Sequence, residues 1–235
     1  LDNGALVPLD TKELINTVAE ACLHLESVSP EPIIKDTLRN LFDGVHQKDV
    51  LQALIMTTRT LIEQEPNYSI VAARLLLKIL QSETMHFLNL PVPKTRQEMA
   101  QAYPLALTTT LQKGVKLEFI DPKLLSFDLE RLGRALKPER DFQFSYLGLQ
   151  TLYDRYFLHS FNVRFELPQI FFMRVAMGLA FAEKEKERRA IEFYDLLSSF
   201  DYMSSTPTLF NSGALRPQLS SCFLTTVPDD LSGIY

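Results

Sequence analysis

Apolar residues recur at helical spacing along most of the chain. Between Lys12 and Glu26, Leu14, Ile15, Val18, Ala19, Cys22 and Leu25 fall on the 3.6-residue repeat of a half-buried helix, with Asp10 or Thr11 at the N-cap position. Pro30, Glu31 and Pro32 read as its breaker, Ile33 to Leu41 as a short helical stretch, and Asp43-Gly44 as the next stop. Asp49 to Gln64 repeats the pattern with Val50, Leu54, Thr57, Leu61 and Ile62 inward, and Ser69 to Phe87 continues it through Ile70, Ala73, Leu76, Leu77 and Leu80. Pro91-Val92-Pro93 is a stiff linker, because each proline fixes its own φ and biases the preceding residue toward extended backbone. Further helices are predicted at Thr95 to Lys113, Pro122 to Leu136, Ser145 to His159, Pro168 to Lys186 and Lys184 to Phe200, the last two close enough to run on as one. Ser204-Ser205-Thr206-Pro207-Thr208 and Asn211-Ser212-Gly213 then read as irregular turns, and Ser221 to Val227, bounded by Pro228-Asp229, as the one clear β run.

A lone strand after a long helical chain leaves its backbone donors and acceptors unpaired, so partners for it are expected beyond Tyr235. The 235 residues are enough for one or two domains, at roughly 150 residues each. Hydrophobic residues at 46% and charged residues at 23% exclude wholesale disorder. Twenty-nine acidic against 24 basic residues, a net charge of −5, disfavour a nucleic-acid backbone or an anionic membrane as partner. The most apolar stretch, Leu167 to Ala182, is shorter than the ~20 residues a membrane-spanning helix needs and carries Arg174 in its middle, so it reads as a buried helix. Leu1 to Gly4 hold neither a starting methionine nor a basic leader, and Ser232 to Tyr235 no polar tail, so both ends are expected to be cuts within a longer protein. Cys22 and Cys222 lie 200 residues apart, with neither zinc-site spacing nor disulfide-scaffold density, which fits a reducing, cytoplasmic setting.

Several residues invite chemistry, each beside a plainer reading. Cys222 follows Ser220 and Ser221 on the predicted strand: a thiol set among hydroxyl donors, or a packed cysteine. Cys22, inside an apolar stripe, reads as packing. The hydroxyls of Ser204, Ser205, Thr206, Thr208 and Ser212 can cradle an anion such as phosphate, or make an ordinary polar turn. Asp229 and Asp230 can accept hydrogen bonds from a ribose, or cap a helix. His24, His46, His86 and His159 are isolated, and no metal site is assigned. Glu183 to Arg189 reads as a solvated helix face, and Phe142, Phe144, Tyr146, Tyr153, Tyr156, Phe157 and Phe161 as core.

Taken together, Asp141-Phe142-Gln143-Phe144-Ser145-Tyr146, Ser205-Thr206-Pro207-Thr208-Leu209-Phe210-Asn211-Ser212-Gly213, Arg216-Pro217-Gln218-Leu219-Ser220-Ser221-Cys222-Phe223-Leu224 and Asp229 to Tyr235 resemble the large (alpha) subunit of ribonucleotide reductase, most closely the aerobic class I enzymes. The resemblance implies a mainly α chain: an ATP-cone-like helical module over residues 1–90, an all-helical domain over 91–203, and over 204–235 a substrate loop leading into the first strand of a ten-stranded α/β barrel. It implies that Cys222 is the first-strand cysteine that reduces the substrate by forming a disulfide with a second cysteine of the barrel, after a thiyl radical elsewhere abstracts the 3′ hydrogen. Ser221 matches a substrate-contacting hydroxyl, Thr206 or Thr208 the diphosphate contact, and Asp229, Asp230 and Leu231 the start of the site that reads a deoxynucleoside triphosphate effector. The partners it implies are a small (beta) subunit carrying a metal radical cofactor, further alpha subunits, a ribonucleoside diphosphate substrate and a thioredoxin or glutaredoxin reductant.

Asn3-Gly4, Val7-Pro8-Leu9-Asp10 and Tyr68 to Leu80 resemble landmarks of the cone. Leu1-Asp2, Glu13 and Leu51 stand where that family carries basic or polar nucleotide contacts, and carboxylates facing phosphates cost Coulomb energy, so this cone is expected not to hold ATP or dATP. The competing reading is a helical interaction or nucleotide-sensing module outside any reductase, which the Ser220-Ser221-Cys222-Phe223-Leu224 segment argues against.

Overall fold

The computed structural model describes residues 7–234. It is mainly helical, and one apolar core runs from Leu14 to Leu209. Helix α1 (Thr11–Cys22) begins where the Asp10 carboxylate accepts the Glu13 N–H at 2.9 Å, and buries Leu14, Val18, Ala21 and Cys22, while Ile15 of the predicted stripe faces solvent. The Pro30-Glu31-Pro32 breaker is instead the first turn of α2 (Pro30–Asn40), with Ser29 as N-cap: a first helical turn lacks intrahelical N–H partners anyway, so proline costs nothing there. Gly44, at φ +87°, turns the chain into α3 (Gln47–Thr60). Helix α4 (Tyr68–Leu88) packs on α1 and α3 and also on elements later in the chain, so it joins the earlier and later parts of one core.

After the prolines at 91 and 93, Thr95 caps α5 (Arg96–Lys116) by accepting the Glu98 N–H at 3.1 Å. The predicted helix from Pro122 to Leu136 is two elements, a 3₁₀ turn (Pro122–Ser126) and α6 (Leu129–Ala135), because Asp128 accepts the Arg131 N–H at 2.9 Å and so starts a new helix after the extended Phe127. A second 3₁₀ turn (Pro138–Gln143) leads to α7 (Tyr146–Arg155), which ends before His159. Residues 159–164 form an antiparallel hairpin, β1 (His159–Ser160) and β2 (Val163–Arg164), that the periodicity did not predict. Its tip, Phe161 and Asn162, takes φ of +50° and +64°, the handedness a two-residue hairpin turn needs. Phe161 is therefore 99% exposed and not part of the core.

Helix α8 (Pro168–Leu179) and α9 (Lys186–Ser198) are separate and packed on each other. The change from an apolar to a charged stretch at Glu183 lets the chain fold back, and Arg188 and Arg189 pair with Glu185, Glu192 and Glu183 on the outer side of α9. Every residue of α8 from Pro168 to Met177 is buried. No helix among the described residues is long and apolar enough to cross a membrane.

Polar side chains fix α8 within that apolar surround. Gln169 donates to the Asp141 carboxylate at 2.8 Å and accepts from the Tyr194 hydroxyl at 2.8 Å, while Tyr103 donates to the other Asp141 oxygen. Burial outweighs these donors and pushes the Asp141 carboxyl up to about 7. Because the folded chain holds this proton where the unfolded chain has released it, the associated stability is full below about pH 4 and is lost as pH rises to about 7. Asp141→Asn, which has nothing to titrate, is expected to gain on the parent by about 4 kcal/mol between pH 4 and 8 in urea unfolding. A pH-independent difference would refute this.

Candidate functional site

The segment from Ser205 to Cys222 is built on α8. Residues 206–211, expected as an irregular turn, form a short helix, α10 (Thr206–Asn211), with Ser205 in extended backbone before it and Pro207 in its first turn, where a missing N–H costs nothing. Its far end is held from the core. Arg174, fully buried, donates from Nη1 to the Ser212 carbonyl at 2.6 Å and to the Phe210 carbonyl at 3.4 Å. Its other nitrogens face the equally buried Glu166 in a two-pronged pair, Nε to Oε1 at 2.6 Å and Nη2 to Oε2 at 3.2 Å, and Glu166 also accepts the Leu158 N–H at 2.8 Å. Ser212 in turn donates to the Val175 carbonyl at 2.7 Å. Gly178 admits this close crossing, since a Cβ there would lie 2.1 Å from the Gly213 nitrogen. Gly213, at φ +76°, accepts the Asp121 N–H at 3.0 Å, and Ala214 bridges to Ile120.

Residues 218–220 fold back onto α10. Asn211 donates to the Gln218 carbonyl at 2.8 Å, Thr208 to the Leu219 carbonyl at 3.4 Å, and the Gln218 side chain accepts the Ser220 N–H at 2.9 Å. These bonds bring Thr208 and Asn211 of α10 to the chain that enters Ser221 and Cys222. Thr206 Oγ1 shares a 2.9 Å hydrogen bond with the Tyr156 hydroxyl, and Thr208 Oγ1 lies 3.4 Å from Ser205 Oγ.

Ser221 to Val227 forms no regular element, so the predicted strand is not formed: a strand is made by its ladder, and among the described residues nothing bonds to it. All of it is exposed, including Cys222, a free thiol. Cys22 is also free but buried, and burial pushes its thiol up to about 11, which suits packing and not redox chemistry.

Asp229, Asp230 and Leu231 follow in exposed chain, and no hydrogen bond among the described residues ties them to α10. Asp230 starts a short turn of helix, α11 (Leu231–Ile234), accepting the Gly233 N–H at 2.9 Å and the Ser232 hydroxyl at 2.5 Å, which holds its carboxyl below the usual range. The capping reading thus describes Asp230 in this structure. Glu13 is exposed in the first turn of α1 and Leu51 half-buried in α3, whereas Leu1 to Gly4 and Tyr235 lie outside the described residues. Among the described residues no three metal-ligating side chains come together.

Sequence reasoning missed Glu166, Tyr156 and the function of Arg174. A usable signal was present for one of them: an arginine amid apolar residues demands a buried counter-charge, and Glu166 sits at the edge of the same run.

Residues 142–217 match the family described as "Ribonucleotide reductase, all-alpha domain". Over 99% of its length the chain is 41% identical to a ribonucleoside-diphosphate reductase subunit alpha of Chlamydia muridarum and 39% identical to that of Helicobacter pylori. It is 33% identical, over 95% of its length, to a ribonucleoside-diphosphate reductase large subunit of Danio rerio. The chain spans 22%, 28% and 27% of these three relatives. Residues 142–217 are thus similar to a ribonucleotide reductase all-alpha domain, in a chain that is similar over nearly its whole length to large (alpha) subunits of that enzyme.

Proposed function

We propose that this chain is part of a ribonucleoside-diphosphate reductase alpha subunit, in which residues 1–90 are a cone-like module, 91–203 the helical domain and 204–235 the start of the catalytic barrel. The observation that carries the reading is the attachment of α10, through the Thr208 hydroxyl and the Asn211 amide, to the segment that presents the exposed Cys222 thiol. In this reading Thr206 or Thr208 donates to the substrate's diphosphate, Ser221 contacts the substrate through its hydroxyl, and Cys222 supplies reducing equivalents at C2′. Two thiols give up two electrons and two protons and become a disulfide, the 2′ hydroxyl leaves as water, and C2′ gains hydrogen. A small subunit carrying the metal radical cofactor initiates the reaction, and a thioredoxin- or glutaredoxin-type dithiol in the cytoplasm restores the thiols. Asp229, Asp230 and Leu231 begin the surface that reads a deoxynucleoside triphosphate in an assembly of alpha subunits, with Asp229 as the ribose contact.

The full-length subunit, given its small subunit and a dithiol, is expected to convert ribonucleoside diphosphates to their deoxy forms. The 235-residue chain, with a single suitable thiol, is expected to give none. Failure of the full-length subunit, or turnover by the chain alone, would overturn the assignment. The cone-like module is expected not to bind ATP or dATP, because Glu13 and Asp2 stand where the resemblance calls for cations and Leu51 where it calls for a polar contact. Calorimetric titration of the 235-residue chain tests this, and a dissociation constant in the low micromolar range would refute it.

A further inference from the structure

We propose that Tyr156 is a positioning residue for substrate binding, setting the direction in which Thr206 offers its hydroxyl to the phosphate. The inference rests on the phosphate-binding reading of α10 given above. Thr206 and Phe210 are four residues apart and so share one face of that helix. Tyr156 meets both: its hydroxyl is 2.9 Å from Thr206 Oγ1, and its ring lies 6.1 Å from the Phe210 ring, centroid to centroid. The tyrosine is itself well anchored. It closes α7 by donating its N–H to the Leu152 carbonyl at 2.9 Å, and the next residue, Phe157, is buried with its ring edge-on to Phe171 of α8, 5.4 Å between centroids.

The far end of α10 is fixed by Arg174 through the Phe210 and Ser212 carbonyls. What remains free at the near end is the rotation of the Thr206 side chain and of its hydroxyl hydrogen. Phosphate oxygens only accept hydrogen bonds, so Thr206 serves a phosphate only while its single proton points outward. A Tyr156 hydroxyl that donates to Thr206 Oγ1 enforces that direction, and a donor feeding a donor strengthens the second bond. None of the residues of the resembling motifs includes Tyr156, and its role follows from contact across 50 positions of sequence.

The test uses the full-length large subunit with its small subunit, a dithiol reductant and a ribonucleoside diphosphate. Tyr156→Phe keeps the ring against Phe210 and removes only the hydroxyl. The expected result is a rise of about fivefold in KM, with kcat within about twofold and the melting temperature unchanged. Thr206→Val is expected to raise KM at least as much, and the double variant to match Thr206→Val alone, since Tyr156 acts through Thr206. Additive effects, a lowered melting temperature with unaltered KM, or an unaltered KM in Tyr156→Phe beside a raised one in Thr206→Val would each overturn the positioning role and leave the phosphate reading standing. If Thr206→Val also leaves KM unaltered, the positioning role falls with it. Thr208→Val then decides the phosphate reading itself, which falls only if that variant too is without effect.

Discussion

Cys222→Ser in the full-length subunit is expected to abolish multiple-turnover reduction while substrate binding stays nearly intact. Within the 235 residues the exchange removes no packing contact, because Cys222 is exposed there. Serine retains a small polar group beside Ser221 but forms no disulfide, so it cannot deliver the electron pair that the proposed function assigns to Cys222. Binding and chemistry should therefore separate: equilibrium binding of a ribonucleoside diphosphate persists, and steady-state product formation with a dithiol falls to background. Normal turnover in the variant would show that Cys222 has no redox part.

Arg174→Met is expected to lower unfolding stability by about 3–5 kcal/mol, the cost of leaving a buried charge without its partner. Glu166 has no exposed surface, and of its two hydrogen-bonding partners among the described residues, Arg174 and the Leu158 N–H, only Arg174 carries a charge. The Phe210 and Ser212 carbonyls lose their donor in the same step. Since whole domains are stable by only about 5–15 kcal/mol, the loss should be visible as a large shift in the urea midpoint. Glu166→Gln combined with Arg174→Met should recover much of it, because no charge is then stranded and glutamine still accepts the Leu158 N–H. A double variant as unstable as the single one would show that the pair's charge complementarity is not what the fold depends on.

How far the sequence alone reached can be followed element by element. Helices α1 and α3 were legible because each buries one stripe and ends at a local stop, so their spacing carries the information within a dozen or so residues. Their boundaries moved by a few residues where a cap was misread, as at Pro30, since proline breaks a helix interior but suits a first turn. The motif residues Thr206, Thr208, Ser221 and Cys222 are given roles in sequence only through resemblance, and those roles remain part of the proposal. The hairpin at 159–164, the break at Phe127 and the helix α10 were not legible, because they are too short for periodicity and are held by caps and distant side chains. Only the tertiary structure decided which groups serve one another: Arg174 with Glu166 and Ser212, Tyr156 with Thr206, Asp141 with Tyr103 and Gln169. A polar group taken from water must find a partner, and the chain's path through space, not its local spacing, determines which group stands within about 3 Å of it.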